Sequence, residues 1–250
     1  MNSNFITVED NKFHVLSEED GEISVVMAHG FTDNAMCMTP LMEKLPFDSR
    51  GIAYDAKAHG LSDAPNSGYG KQDMANDLVG IVRELELDDP VLYGHSLGAN
   101  TVARASQILD DVRFCVLEDP AGLMMRGIDE NERSERKNSQ FKNWRTSTHR
   151  EIKEEYVGTP RFADLLATAR KQMRPEALNI NDRGYDYIGD FLENPPETLL
   201  LRPDPTVVDY EVSDQDLPSE VSVNIIPNAS HTIFRNNQKD FIRVLEEFIS

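Results

Sequence analysis

Short apolar runs, each stopped by a glycine, a proline or a polar turn, alternate along this chain with stretches of helical period. "NFITVED" and "KFHVLS" make an opening hairpin, and "EISVVMAHG", "RGIAYDAKAHG", "VLYGHS", "RFCVLEDP", "TLLLRPDP" and "EVSVNIIP" follow as strands. Between them "AMCMTPLMEKL" reads as a helix, and "KQDMANDLVGIVRELELD" sets Met74, Leu78, Ile81, Val82 and Leu85 on one helical face. Ala99, Val102, Ala103, Ala105 and Ile108 recur near helical spacing, and "QKDFIRVLEEFI" ends the sequence as an amphipathic helix through Phe241, Leu245, Phe248 and Ile249. Strands alternating with helices imply a mostly parallel, doubly wound α/β sheet. In such a sheet ligands bind outside the carboxyl ends of the strands.

One stretch breaks the alternation. The segment between "RFCVLE" and "TLLLR" is too long for a simple crossover, and its patches "REIKEEYVG", "RFADLLATARKQM" and "YDYIGDFLE" are helical. The expected organisation is a core of residues 1–120 and 198–250 with a helical cap, or lid, at 121–197. Charge marks the same division. Residues 121–197 hold 13 Lys and Arg against 14 Asp and Glu, so the remainder carries −18 of the formal −19. A field of that sign repels phosphates, which disfavours nucleic acid and anionic membranes as partners. It is a solubility feature, of the kind a salty cytoplasm favours. No stretch approaches the ~20 apolar residues of a membrane span, and "MNSNFITVED" lacks the order of a signal peptide. Cys37 and Cys115 lie in apolar segments as buried thiols. The expectation is a cytoplasmic protein acting on a small molecule, with no cofactor and no metal.

Chemistry concentrates at Gly94-His95-Ser96-Leu97-Gly98, a G-x-S-x-G between a strand and a helix, as a nucleophile elbow requires. The competing reading is a tight strand-to-helix turn with Ser96 as N-cap. A serine hydroxyl needs an adjacent base, and imidazole has a suitable pKa. Of the six histidines, His231 follows the last strand and can hang over the same sheet edge as Ser96. His29 and His59 lie in earlier turns, His95 points away from Ser96 at the elbow, and His14 and His149 read as surface residues.

With "HGFTDN" at 29–34, "YDAKAHGLSDAP" at 54–65, "GHSLGA" at 94–99 and "NASHTIF" at 228–234, the chain resembles an α/β-hydrolase-fold protein with a cap inserted after the sixth strand. The resemblance spans nearly all of the chain outside the cap. It implies the order Ser, acid, His, with Ser96 as nucleophile and His231 as base. It also implies an oxyanion hole built from the N–H groups of Leu97 and Phe31. For the acid it points to the loop after "TLLLR", where a Gly is usually followed three residues later by Asp. Here Pro203 replaces that Gly and Thr206 stands at the strict position, so Asp204 is the nearest carboxylate. Some relatives carry the acid at the end of the preceding strand, which offers Glu118 or Asp119.

Ser96 at the elbow argues against haloalkane dehalogenases and epoxide hydrolases, which place Asp there. The implied activity is acyl transfer to water, on a small carboxylester, lactone or thioester. Carbon–carbon bond hydrolysis and a non-catalytic ligand-binding receptor are the alternatives, and a metal site on Asp55, His59 and Asp63 is a distant third. Specificity lies in the cap, where Leu123, Met124, Met125, Trp144, Tyr156, Phe162, Leu165 and Leu166 either line a pocket or pack cap onto core.

Overall fold

The computed structural model describes residues 1–250 except 47, 122–129, 157, 181–185, 205–216 and 250. Among the described residues eight strands form one sheet: β1 (Asn2–Val8), β2 (Asn11–Ser17), β3 (Ile23–Ala28), β4 (Ser49–Tyr54), β5 (Val91–His95), β6 (Phe114–Glu118), β7 (Thr198–Pro203) and β8 (Val221–Ile226). Their order is β1-β2-β4-β3-β5-β6-β7-β8. The β1–β2 hairpin and the β2–β4 pair are antiparallel, and all other pairs are parallel. The chain leaves β3 for β4 on one side, while β5 lies on the other. The turns after β3 and β5 therefore diverge at a switch point, where a crevice opens.

Helices flank both faces: α1 (Thr39–Met42), α2 (Lys71–Glu84), α3 (Leu97–Ala105), α4 (Glu130–Thr146), α5 (His149–Glu154), α6 (Pro160–Gln172), α7 (Asp186–Glu193), α8 (Ile233–Asn236) and α9 (Gln238–Ile249). The helix expected over "AMCMTPLMEKL" is shorter than its period suggested. Ala35–Met38 is a 3₁₀ turn, and Pro40, inside the first turn of α1, has no N–H to carry that hydrogen bonding into a continuous α-helix. In α2 the Asp73 carboxylate accepts the Gly70 N–H at 2.9 Å, and Met74, Leu78, Ile81 and Val82 are buried.

Two apolar cores result. One joins Phe13, Tyr54, Leu78, Ile81 and Leu92 under α2 and α3. The other joins Met27, Leu41, Tyr93, Leu199 and Phe241 under α1 and α9. All the described helices from α4 to α7 lie between β6 and β7, and they anchor in both cores. Phe141, Trp144 and Ile152 belong to the first, Phe162 and Leu166 to the second. Polar ties fix the same segment to the loops after β3 and β4: Asn34 Nδ2–H to Gln172 Oε1 at 2.8 Å, Arg174 N–H to Ala58 O at 2.9 Å, and an Arg174 guanidinium N–H to Ser62 O at 2.6 Å. No helix among the described residues is long and apolar enough to cross a membrane.

Candidate active site

Ser96, the first residue after β5, takes a left-handed backbone conformation, φ 55° and ψ −113°, which a residue with a Cβ holds only when its surroundings impose it. The glycines explain how they do. A Cβ on Gly98 would lie 2.0 Å from Ala28 O, and one on Gly94 would lie 2.4 Å from Gly98 O. Only glycine lets α3 press this closely on β3 and β5. Ser96 stands at the N-cap of α3, yet its side chain makes no capping hydrogen bond. Its hydroxyl instead meets His231 Nε2 at 2.9 Å.

The other ring nitrogen of His231, Nδ1, lies 2.6 Å from Asp119 Oδ2. An ionised carboxylate can only accept, so Nδ1 carries the proton and Nε2 is left to accept from Ser96. Asp119 is fully buried here, while the His231 side chain is 38% exposed. The carboxylate against His231 is thus Asp119, and the expectation that favoured Asp204 is corrected. The sheet gives the reason. His95 and Glu118 are paired in register on neighbouring strands, so Ser96 and Asp119 leave the sheet side by side. Asp204 leaves from β7, one strand further from β5, where its N–H reaches Ala229 O at 3.4 Å. Asp119 turns out of the pleat at φ 43°. Glu118, still within the strand, accepts instead from the Tyr93 hydroxyl and, at 3.0 Å, from the Phe234 N–H.

Leu97 is the first residue of α3, so its N–H is among the helix's orphan donors. Among the described residues neither Leu97 N–H nor Phe31 N–H has a protein acceptor. Phe31 is held from behind by His59, whose Nε2 lies 2.8 Å from its carbonyl and whose ring meets the phenyl edge-on at 5.9 Å. Burial pushes the His59 pKa down to about 4.

Beneath His231 lies a charge cluster that sequence reasoning missed. Arg235 bridges Asp33 at 2.5 Å, with side chains 6% and 1% exposed. His95 Nε2–H donates to the His231 carbonyl at 2.9 Å, and its Nδ1 is 3.7 Å from Asp33. A cavity of only about 10 Å³ remains among Cys37, Tyr93, His95, Glu118, Phe234 and Arg235. Burial acts to raise the Asp33 pKa, but Arg235 and His95 overcome it and hold the carboxyl far below the usual range. Burial acts to lower the His95 pKa, yet Glu118 and Asp33 leave it raised. The available signal was position: Asp33 lies inside "HGFTDN", and Arg235 directly follows "NASHTIF".

The other sequence candidates fall elsewhere. His14, expected at the surface, is 4% exposed, because β2 pairs with β4 and brings its Nδ1 to 2.7 Å from Asp55. Asp55 also accepts from the N–H groups of Ala35 and Leu61, and Asp63 accepts from Lys12 N–H. Those oxygens are committed to the fold. No group of three or more His, Cys, Asp or Glu among the described residues is disposed to hold a metal. His149 is exposed near Thr168. Cys37 and Cys115 are buried free thiols, both pushed up to about 12 by burial. Of the suggested cap residues, Trp144, Phe162 and Leu166 are buried, and Tyr156 and Leu165 are half-buried. Leu123, Met124 and Met125 lie outside the described residues.

Known proteins carry similar sequence and architecture. A 2-(acetamidomethylene)succinate hydrolase of Mesorhizobium japonicum is 44% identical over 92 residues, 36% of this chain and 33% of that protein. The match thus spans about a third of that relative's length. An N-formylmaleamic acid deformylase from Pseudomonas putida S16 superposes with a TM-score of 0.81 at 18% identity, covering 98% of this chain and all of the other. An esterase of Exiguobacterium antarcticum gives 0.75 at 20% identity over 99% of both chains. At such identities the superpositions establish the fold. The profile of the alpha/beta hydrolase family matches residues 25–244, and the chain belongs to that family.

Proposed function

We propose that the protein is a serine hydrolase that transfers an acyl group to water through Ser96, His231 and Asp119. The unbroken line Ser96 Oγ, His231 Nε2, His231 Nδ1, Asp119 carries this reading, at 2.9 and 2.6 Å. In the first half-reaction Ser96 Oγ attacks the substrate carbonyl carbon while His231 Nε2 takes its proton, and Asp119 stabilises the imidazolium. The oxygen of the tetrahedral adduct points at the open N–H groups of Leu97 and Phe31, where each fixed donor is worth roughly 3 kcal/mol of barrier. The imidazolium then protonates the leaving group as the carbonyl re-forms, giving an acyl-Ser96. In the second half-reaction His231 deprotonates a water that attacks this ester. Ser96 recovers its proton, and the acid is released.

The substrate class is a small carboxylester, lactone or thioester. The relatives named for 2-(acetamidomethylene)succinate and N-formylmaleamic acid extend it to small activated amides. A fluorophosphonate probe should label the wild type and leave Ser96→Ala unlabelled, and a screen of p-nitrophenyl esters, lactones and thioesters should show turnover. Equal labelling of both proteins sinks the assignment. Ligand binding with no labelling and no turnover would make the protein a receptor that kept the pocket.

A further inference from the structure

The residue that precedes the nucleophile, His95, takes no direct part in the reaction proposed above, yet its surroundings are tightly specified. It is buried, and its ring fits against the turn after β3 because residue 30 is glycine: a Cβ there would lie 2.8 Å from His95 Nδ1. The ring also meets the loop after β8. Its Nε2–H donates to the His231 carbonyl at 2.9 Å, and the two imidazole centres are 4.9 Å apart. His95 is thus wedged between the loop that carries His231 and the turn that runs on into Phe31.

What this hydrogen bond holds is the base itself. His231 lies between β8 and α8, outside any helix or strand, and among the described residues its main chain makes no backbone–backbone hydrogen bond. The neighbouring Ser230 N–H is held by Asn236 Oδ1 at 3.0 Å, within the same segment. The bond from His95 therefore ties the His231 main chain to β5. The His231 ring meets Asp119 at Nδ1 and has to reach Ser96 with Nε2, at 2.6 and 2.9 Å. A ring held at one end, on a main chain left loose at the other, would set the second contact poorly, and a hydrogen bond weakens steeply with misalignment. Asp33 steadies the same arrangement. It lies 3.7 Å from His95 Nδ1 and pairs at 2.5 Å with Arg235, on the helix that directly follows His231.

Packing alone would ask less of this position. Leucine or methionine fills a similar space, and a buried polar ring costs stability unless its hydrogen bonds are made. We propose that His95 is a positioning residue: through the His231 carbonyl it holds the imidazole in line with Ser96 and Asp119. This rests on the hydrolase reading above for its effect on rate, though not for its effect on the His231 ring.

The test separates the donor from the space it fills. His95→Leu keeps a similar volume and removes the donor, whereas His95→Gln returns an N–H near the place of Nε2. With p-nitrophenyl butyrate, at a temperature where every variant is folded, kcat of His95→Leu should fall about 10–100-fold with KM changed no more than about threefold. His95→Gln should recover kcat to within about fivefold of the wild type. Leu78→Ala, in the core under α2, should lower Tm and leave kcat within about twofold, which marks the effect of lost stability alone. A second readout needs no turnover: the ¹⁵N shifts of the histidine rings report which nitrogen carries the proton. His231 should hold its proton on Nδ1 in the wild type and in His95→Gln, and should lose that preference in His95→Leu. A His95→Leu with wild-type kcat, a loss carried by KM, an equal kcat loss in His95→Gln or Leu78→Ala, or a His231 ring unchanged between wild type and His95→Leu would each overturn the assignment. If the wild type hydrolyses no ester, the hydrolase reading fails, and the ring spectra still decide whether His95 holds His231.

Discussion

Asp119 and Glu118 are neighbours in sequence, both buried, and they belong to two different regions. Asp119 faces a half-exposed imidazole across 2.6 Å, in the line that runs through His231 to Ser96. Glu118 lies in the region beneath, with Tyr93, Asp33, His95 and Arg235, where every polar group is shut away from water. The lesson is about charge that must change and charge that must not. In the proposed reaction His231 gains and loses a proton in each turnover, and its place at the rim lets solvent accommodate the charged form. Asp33 and Arg235 need only hold the loop after β3 to α8, and burial suits a permanent pair whose geometry is good.

The sharpest way to break this comparison is at its upper half. Asp119→Asn keeps the shape but offers His231 Nδ1 a poorer partner, and kcat should fall about 10⁴-fold with little change in Tm. Asp204→Asn, measured alongside, should stay within about threefold, in line with ordinary surface substitutions. If the two results were exchanged, the acid would be Asp204 after all.

The lower half should behave in the opposite sense. Arg235→Met leaves Asp33 buried without its main counter-ion and should cost about 3–5 kcal/mol of stability, read by denaturant unfolding. Its pH dependence follows from the direction of the Asp33 shift. A carboxyl held far below its unfolded pKa contributes stability that is complete above the ordinary carboxylate range and is lost as the pH falls towards the folded value. The acid side of the wild-type stability profile should therefore be steeper than that of Arg235→Met. Glu118→Gln gives the smallest effect. It weakens the acceptor for Tyr93 and Phe234 by about 1–3 kcal/mol, with kcat changed less than about tenfold. A kcat loss on the scale of Asp119→Asn would erase the distinction between the two regions.

What could be read from the chain beforehand follows the same division. Periodicity located the strands and α2, α3, α5, α6, α7 and α9, though neither α4 nor α8, because period 2 and period 3.6 are local properties. Glycine located the elbow, because nothing else fits between α3 and β3. His231 was legible from its place after the last strand. The acid was not: choosing between residues 118 and 119 depends on where the pleat stops and a left-handed turn begins, and choosing between β6 and β7 depends on strand order. His14 was misplaced for a related reason. Its burial comes from the antiparallel pairing of β2 with β4, a contact between distant segments that no local pattern reports. Asp33 and Arg235 stood beside recognisable motifs, but a charged pair 202 positions apart shows itself only after folding.

The separations within the site bear on how activity arises in time. Ser96 and His231 are 135 residues apart, and His231 and Asp119 are 112 apart. Each contact closes a long loop, and the entropy of that closure has to be met before the contact repays it. Helices such as α2 form from neighbouring residues and need no such closure. During refolding, helical circular dichroism should therefore recover well ahead of the proposed hydrolytic activity, and a chain halted between the two stages would have most of its secondary structure while Ser96 still lacked its contact with His231.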